Sequence, residues 1–293
     1  KNLFLAPSFD IKTLTRLPKI ILEHNITFLS SVPAIWKIME KSVLPLIGTS
    51  LRRIHCGSAP LSYDQLQSIK QWSKIENIYN VYGITETGSW IGASLLTSEV
   101  EVEGFIGQPW GAEFLITEND NQVKSSQSFK KCKVDETGYI WISSPTLMSG
   151  YFKDPVLTKE YKKNGWFYTG DKGYLDAAGN LYLTGRVREE INKAGLKISP
   201  SDIDFILEKH PCVKEAVTFG TAHPIFGEIV NVALVLTESE LLGGVKSWLQ
   251  EKINPKKLPS NWFLVDQIPK NSRGKVNRSE VKNLCTQKIK HGR

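Results

Sequence analysis

Several short segments of this chain carry side chains able to handle phosphate and ribose. In Val81–Gly88 (VYGITETG), Tyr82 can stack on a base, Thr85 can donate a hydrogen bond to a phosphate oxygen, and Glu86 can hold a hard divalent cation. Asp171 closes the segment GWFYTGD, and a carboxylate there can accept both hydroxyls of a ribose. Arg186 follows in LTGRVREEINKAGLKISP. Lys275, in PKNSRGKVNR, places an ammonium where charge developing on a phosphate could be met. Gly57, Ser58 and Ala59 open GSAP, a run small enough for backbone to approach a ligand. Each motif by itself also fits an ordinary turn, a surface ion pair or a solvated basic loop. Five such segments in one chain favour the chemical reading.

These segments need elements to position them. Ile26–Ser31 and Leu51–Cys56 read as strands, Ala34–Glu40 as the start of a helix, Ser62–Trp72 as a helix capped by Ser62, and Ile78–Tyr82 as a strand. Strand, helix, strand at this spacing is a βαβ unit, which implies a parallel sheet up to about residue 98. GSAP and YGITE each follow a strand directly, where open α/β sheets bind ligands. From Glu99 to Thr184 short strands alternate with turns at Asn119–Asn121, Glu136–Gly138 and Ala178–Asn180, predicting a small antiparallel barrel or sheet. The polar run Asn119–Lys133 reads as an exposed hairpin tip. Ser201–His210 and Glu238–Ile253 then read as helices, and Val213–Phe219, Ile229–Leu236 and Trp262–Asp266 as strands. The expected division is 1–187 and 188–293, with the boundary near Val187–Arg188.

The motifs together resemble the adenylate-forming superfamily of acyl-CoA synthetases, firefly-type luciferases and peptide-synthetase adenylation domains. The resemblance covers roughly residues 20 to 280. It implies an α/β large domain, present here as its C-terminal part with a parallel βαβ sheet and a small β-barrel. A small mobile α+β domain follows. It further implies that Lys275, Thr85 and Glu86 are catalytic, with Glu86 on Mg²⁺. Gly57, Ser58, Ala59, Tyr82, Gly83, Thr85, Asp171, Arg186 and Lys275 would contact the nucleotide. Gly195 would line the pantetheine tunnel, and Arg188 would be the hinge of the small domain. The implied substrates are ATP, a carboxylic acid and CoA. Asn192 stands where luciferases carry a lysine, which disfavours luciferase-type oxidation. The family's Ser/Thr/Gly/Lys phosphate loop, which lies upstream of the tyrosine motif, is absent. The 293-residue chain alone is therefore expected not to adenylate at a normal rate, and to leave a sheet edge that a second copy, a homodimer, could cover. Two other readings stay open: an adenylating enzyme that loads a carrier protein, and a non-catalytic nucleotide-binding remnant.

Composition fits this class. The chain is 41% hydrophobic and 23% charged, with 37 basic and 30 acidic residues giving a net charge of +7. The basic residues are dense only in the tail around Lys282, Lys288, Lys290 and Arg293, which reads as a solvated terminus rather than a nucleic-acid surface. Cys56, Cys132, Cys212 and Cys285 lie far apart, as expected of reduced thiols in the cytoplasm. No apolar run is long enough for a membrane span. His24, His55, His210, His223 and His291 show no metal-ligand spacing.

Overall fold

A computed structural model describes residues 11–33, 35, 36, 39, 50–57, 61, 63–96, 104–119, 129–271 and 275–291. The chain divides into two units: Lys1–Leu183 with Ser272–Lys275, and Thr184–Asn271 with Val276–Arg293. The division falls slightly ahead of the expected Val187–Arg188, inside strand β10.

The first unit opens with helix α1 (Ile11–Glu23) and a four-stranded sheet in the order β1 (Phe28–Ser31), β2 (Arg53–Gly57), β3 (Ile78–Gly83), β4 (Trp90–Leu95). β1, β2 and β3 run parallel, and β4 is antiparallel to β3. The expected parallel βαβ sheet is therefore present, with β4 added to it in the antiparallel sense. Only a single 3-10 turn, Thr85–Thr87, separates β3 from β4, too short for the crossover that a parallel neighbour requires. Helix α2 (Tyr63–Ser73) supplies the βαβ crossover. Its buried Leu66, Ile69 and Trp72 follow helical spacing and pack on Ile54, Cys56 and Ile78 of the sheet. Ser62, its expected cap, lies outside the described residues. Of the helix expected from Ala34, residues Ile35, Trp36 and Met39 are helical and buried. Trp36 Nε1 donates to Ser31 Oγ at 2.7 Å.

A second sheet of the same unit contains β5 (Phe105–Gly107), β6 (Glu113–Thr117), β7 (Gly138–Ser143), β8 (Lys162–Lys163), β9 (Trp166–Leu175) and β10 (Leu181–Arg186). Its order is β5-β10-β9-β7-β6, with β8 on β9. Helix α3 (Pro155–Tyr161) precedes β8, capped by Asp154, whose carboxylate accepts from Leu157 N. Of the two expected forms this is the sheet, with β5 and β6 as its ends. The middle of the expected hairpin tip, 120–128, lies outside the described residues. Tyr82 and Ile91 of the first sheet share one core with Ile106, Ile116, Ile140, Ile142, Phe167 and Leu181 of the second. That shared core positions the site.

The second unit begins with a 3-10 turn, Val187–Glu189, and a hairpin of β11 (Ile191–Lys193) and β12 (Leu196–Ile198). Helix α4 (Pro200–Glu208), the long hairpin β13 (Val213–His223) and β14 (Gly227–Leu236), helix α5 (Leu242–Lys252), strand β15 (Asn261–Leu264) and helix α6 (Arg278–His291) follow. The sheet order is β12-β11-β14-β13, with β15 parallel on β14. Alternation along β14 explains the layers. Val230, Val232 and Leu234 face α4 and α5, whereas Ala233 faces α6 through Val281 and Cys285. The tail expected as a solvated terminus is in part this helix, which buries Val281 and Cys285.

Candidate active site

The expected βαβ geometry brings Gly57, the first residue of GSAP, and YGITE to neighbouring strand ends. Gly57 at the end of β2 pairs with Val81 in β3, two residues ahead of Gly83. A Cβ on Gly57 would stand 2.6 Å from Val81 Cγ2 and 2.7 Å from Val81 O. Close strand packing therefore already requires glycine here. Ser58 and Ala59 lie outside the described residues. Gly83 is equally hemmed in, since a Cβ there would meet Ser89 O at 2.5 Å.

After β3 the chain turns through Thr85–Thr87. Thr87 Oγ1 fixes this turn by donating to Ile84 O at 2.8 Å, and Gly88 closes it with a left-handed φ of +65°. Thr85 is exposed and Glu86 half-buried. Glu86 is held from two sides. Its carbonyl accepts from Met148 N at 2.8 Å, and its Oε1 accepts from Tyr151 Oη at 2.9 Å. Lys162 Nζ in turn donates to Met148 O at 2.8 Å. Oε2 carries no hydrogen bond among the described residues. The arrangement thus leaves one oxygen of an oriented carboxylate without a hydrogen bond among the described residues, on the residue next in sequence to the exposed Thr85. A single carboxylate suits Mg²⁺, which keeps most of its shell as water and phosphate oxygens. No cluster of three acidic, His or Cys ligands occurs among the described residues.

Tyr82 and Asp171 come together. Tyr82 Oη donates to Asp171 Oδ2 at 2.7 Å, and Asp171 N donates to Thr169 Oγ1 at 3.0 Å. Tyr82 is 7% exposed and Asp171 only 3%. The ring also packs at 6.4 Å from Phe114. Arg186, at the end of β10, is exposed, and so is Arg188 in the middle of the Val187–Glu189 turn. Gly195 forms the β11–β12 turn with Ala194, at φ of +85° and +52°, and has open space around it. Gly195 N donates to Asn192 Oδ1 at 3.0 Å. Lys275 is half-buried, grouped with the first unit and directly followed by Val276, which bridges Lys270. Burial pushes the Cys56 thiol up to about 12, so it is a neutral core group and no nucleophile.

Sequence reasoning missed Tyr151 and Met148, which orient Glu86. The signal available was the Asp154-Pro155 helix start, which places a tight turn just after Tyr151. It also missed the contacts of Arg278, taken up below.

Comparison with known proteins gives this geometry a setting. The pattern of the family described as AMP-binding enzyme matches residues 2–152, and that of the AMP-binding enzyme C-terminal domain matches 202–275. An oxalate–CoA ligase of Saccharomyces cerevisiae is 31% identical over 267 residues, covering 88% of this chain and 47% of the relative. A 2-succinylbenzoate–CoA ligase of Bacillus subtilis is 29% identical, covering 89% and 51%. Among solved structures, ATP-bound MatB of Rhodopseudomonas palustris superposes with a TM-score of 0.81 at 25% identity, covering 96% of this chain and 54% of that one. The o-succinylbenzoate CoA synthetase of Bacillus subtilis, in complex with its acyl-adenylate intermediate, gives 0.75 at 27% identity, covering 94% and 54%. The chain therefore spans about half the length of these relatives. No helix among the described residues is long and apolar enough to cross a membrane. On the matched patterns and these relatives, the chain belongs to the AMP-binding enzyme family, the adenylate-forming superfamily.

Proposed function

We propose that the protein to which this chain belongs is an AMP-forming carboxylate–CoA ligase. A carboxylate oxygen attacks the α-phosphorus of ATP, the bond to the bridging oxygen breaks, and pyrophosphate leaves. The thiol of CoA then attacks the acyl carbonyl, a thioester forms, AMP leaves, and the thiol proton passes to solvent. The observation that carries this reading is the Glu86 carboxylate, oriented by Tyr151 on the turn directly after β3 with Oε2 available. Mg²⁺ bound there would neutralise charge on the phosphates.

The chain's own residues supply the rest. Thr85 donates to a phosphate oxygen. Tyr82 and Asp171 form the base and ribose side, with Arg186 as a second ribose contact. Lys275 meets the charge that grows as pyrophosphate departs. Arg188 is the hinge that exchanges the two half-reactions, and Gly195 lines the path of the pantetheine arm. The four free cysteines fit a cytoplasmic enzyme.

Carboxylate-dependent ATP–pyrophosphate exchange tests the first step, on protein of the length its relatives have. Exchange with some acids, lost in Lys275→Ala, is expected. Release of AMP that requires CoA separates the ligase from a carrier-loading enzyme. No exchange with any acid by folded protein in Mg²⁺ overturns the reading in favour of a nucleotide-binding remnant.

A further inference from the structure

Arg278 is the first residue of α6 and lies three positions after Lys275. Its guanidinium is well enclosed, with the side chain 20% exposed, and it spans three elements. Nε donates to Glu189 Oε2 at 2.9 Å, and Nη1 donates to Asp204 Oδ2 at 2.8 Å and to Thr218 O at 2.6 Å. Asp204 is itself fixed, because its Oδ1 accepts from Thr218 N. Burial pushes the Asp204 carboxyl up to about 6, with Arg278 pulling against that. Such an enclosed cation is weak evidence for stability, since desolvation offsets much of the attraction. What the fork provides is geometry.

The other foot of the Lys275 loop is pinned as well. Lys270 pairs with Glu215 of β13 and bridges Val276, and Asn277 N donates to Pro269 O at 3.0 Å. The described residues on either side of Lys275 therefore rest on β13, Lys270 through Glu215 and Arg278 through Thr218. The Glu189 contact has a different destination. Glu189 ends the Val187–Glu189 turn and is the neighbour of Arg188.

We propose that Arg278 is a positioning residue: through Glu189 it ties the stem of the Lys275 loop to the turn that carries Arg188, so the lysine is presented only when that turn is held in this conformation. The catalytic side of this inference rests on the carboxylate-activation reading above, and the mechanical side does not. Without the tie Lys275 is held less firmly, and a misplacement of about 1 Å can cost about 10²-fold in rate.

The test uses Glu189→Ala, which removes the tie while leaving Arg278 its contacts to Asp204 and Thr218. Arg278→Lys is the conservative partner, and Glu190→Ala, next to Glu189 and paired instead with Lys197, is the control. Two measurements are made on protein of the relatives' length. In hydrogen exchange, amides of residues 275–277 are expected to exchange about 2–10-fold faster in Glu189→Ala, as loss of a partly exposed charged hydrogen bond allows, with α4 and β13 unchanged. In kinetics, kcat for pyrophosphate exchange is expected to fall about 10–100-fold at constant KM for ATP. Thioester formation from supplied acyl-adenylate, a step in which no pyrophosphate departs and the role proposed for Lys275 has no place, is expected to stay constant. Equal loss in both half-reactions, the same loss in Glu190→Ala, or unchanged exchange at 275–277 overturns the proposal. If wild type fails to adenylate, the ligase reading falls and hydrogen exchange alone decides the tie.

Discussion

Tyr82 Oη donates a 2.7 Å hydrogen bond to Asp171 Oδ2, joining two residues 89 positions apart. The bond stitches the end of parallel strand β3 to the middle of β9 in the second sheet. Two groups expected to meet one nucleotide are thereby held side by side before any nucleotide is considered.

The first prediction concerns this bond. Tyr82→Phe keeps the ring and its packing against Phe114 but removes a donor from a carboxylate that is 3% exposed. The cost of taking a partner from such a group is about 1–3 kcal/mol. Urea unfolding should show that loss, whereas Asp171→Asn, which can still accept from Tyr82, should lose less. Equal stability of wild type and Tyr82→Phe would mean that the bond contributes nothing.

Glu86 gives the second prediction. Glu86→Gln retains an oxygen to accept from Tyr151, so the thermal midpoint should be nearly unchanged. The charge is gone, however, and with it the metal's anchor. Pyrophosphate exchange should fall by several kcal/mol of transition-state stabilisation, about 10²–10³-fold. Tyr151→Phe leaves the charge but loses its orientation, and about 10–100-fold more Mg²⁺ should be needed for half-maximal rate. A Mg²⁺ titration of the three proteins checks both expectations. Identical Mg²⁺ dependence would remove Tyr151 from the site.

What the sequence made legible follows from the range of the forces involved. The unit β2, α2, β3 was readable because short apolar runs and a helical face at Leu66 and Ile69 are local patterns. Gly57 at the end of β2 and the YGITE turn after β3 were legible for the same reason. The antiparallel β4 escaped because its direction depends on the length of the turn after β3, not on its own composition. Tyr151 escaped because its tie to Glu86 spans 65 residues, and Arg278 because its partners lie 60 to 89 residues away. Long-range polar contacts leave no periodicity to detect. At Gly57 the sequence pointed to a ligand, and the structure adds the adjacent strand, whose Val81 also calls for glycine.

That distinction is the third prediction. Gly57→Ala forces a Cβ against Val81 O, a backbone atom that cannot swing away, and overpacking of this kind costs about 1–3 kcal/mol. Gly195 differs. Nothing lies within 4 Å of its missing Cβ, and only its φ of +85° favours glycine. Asn tolerates left-handed backbone, so Gly195→Asn should fold with a loss below about 1 kcal/mol, while Gly195→Val should lose more. Comparing the three unfolding curves separates steric from conformational need. A tolerated Gly57→Ala would show that β2 and β3 can part at this point.

The fourth prediction turns on His55 in β2. The ring is 5% exposed, and among the described residues neither nitrogen has a hydrogen-bond partner. It packs against Phe28, Tyr79 and Trp90 at centroid distances of 4.7, 5.2 and 4.7 Å, so its surroundings are aromatic rather than polar. Burial, and then the nearby Arg53 guanidinium, push its pKa below the ordinary 6.5. Folding thus favours the neutral imidazole, whereas the unfolded chain takes up a proton near 6.5. The stability this residue contributes is fully present above pH 6.5 and is lost as pH falls through its lowered folded value. His55→Phe replaces the ring with one that has no nitrogens to leave unpaired, a change that can be neutral or stabilising. Urea midpoints at pH 7.5, 6.5 and 5.5 should therefore diverge, with wild type losing ground to His55→Phe as the pH drops. Parallel curves would show that His55 is protonated as readily in the folded sheet as in the unfolded chain.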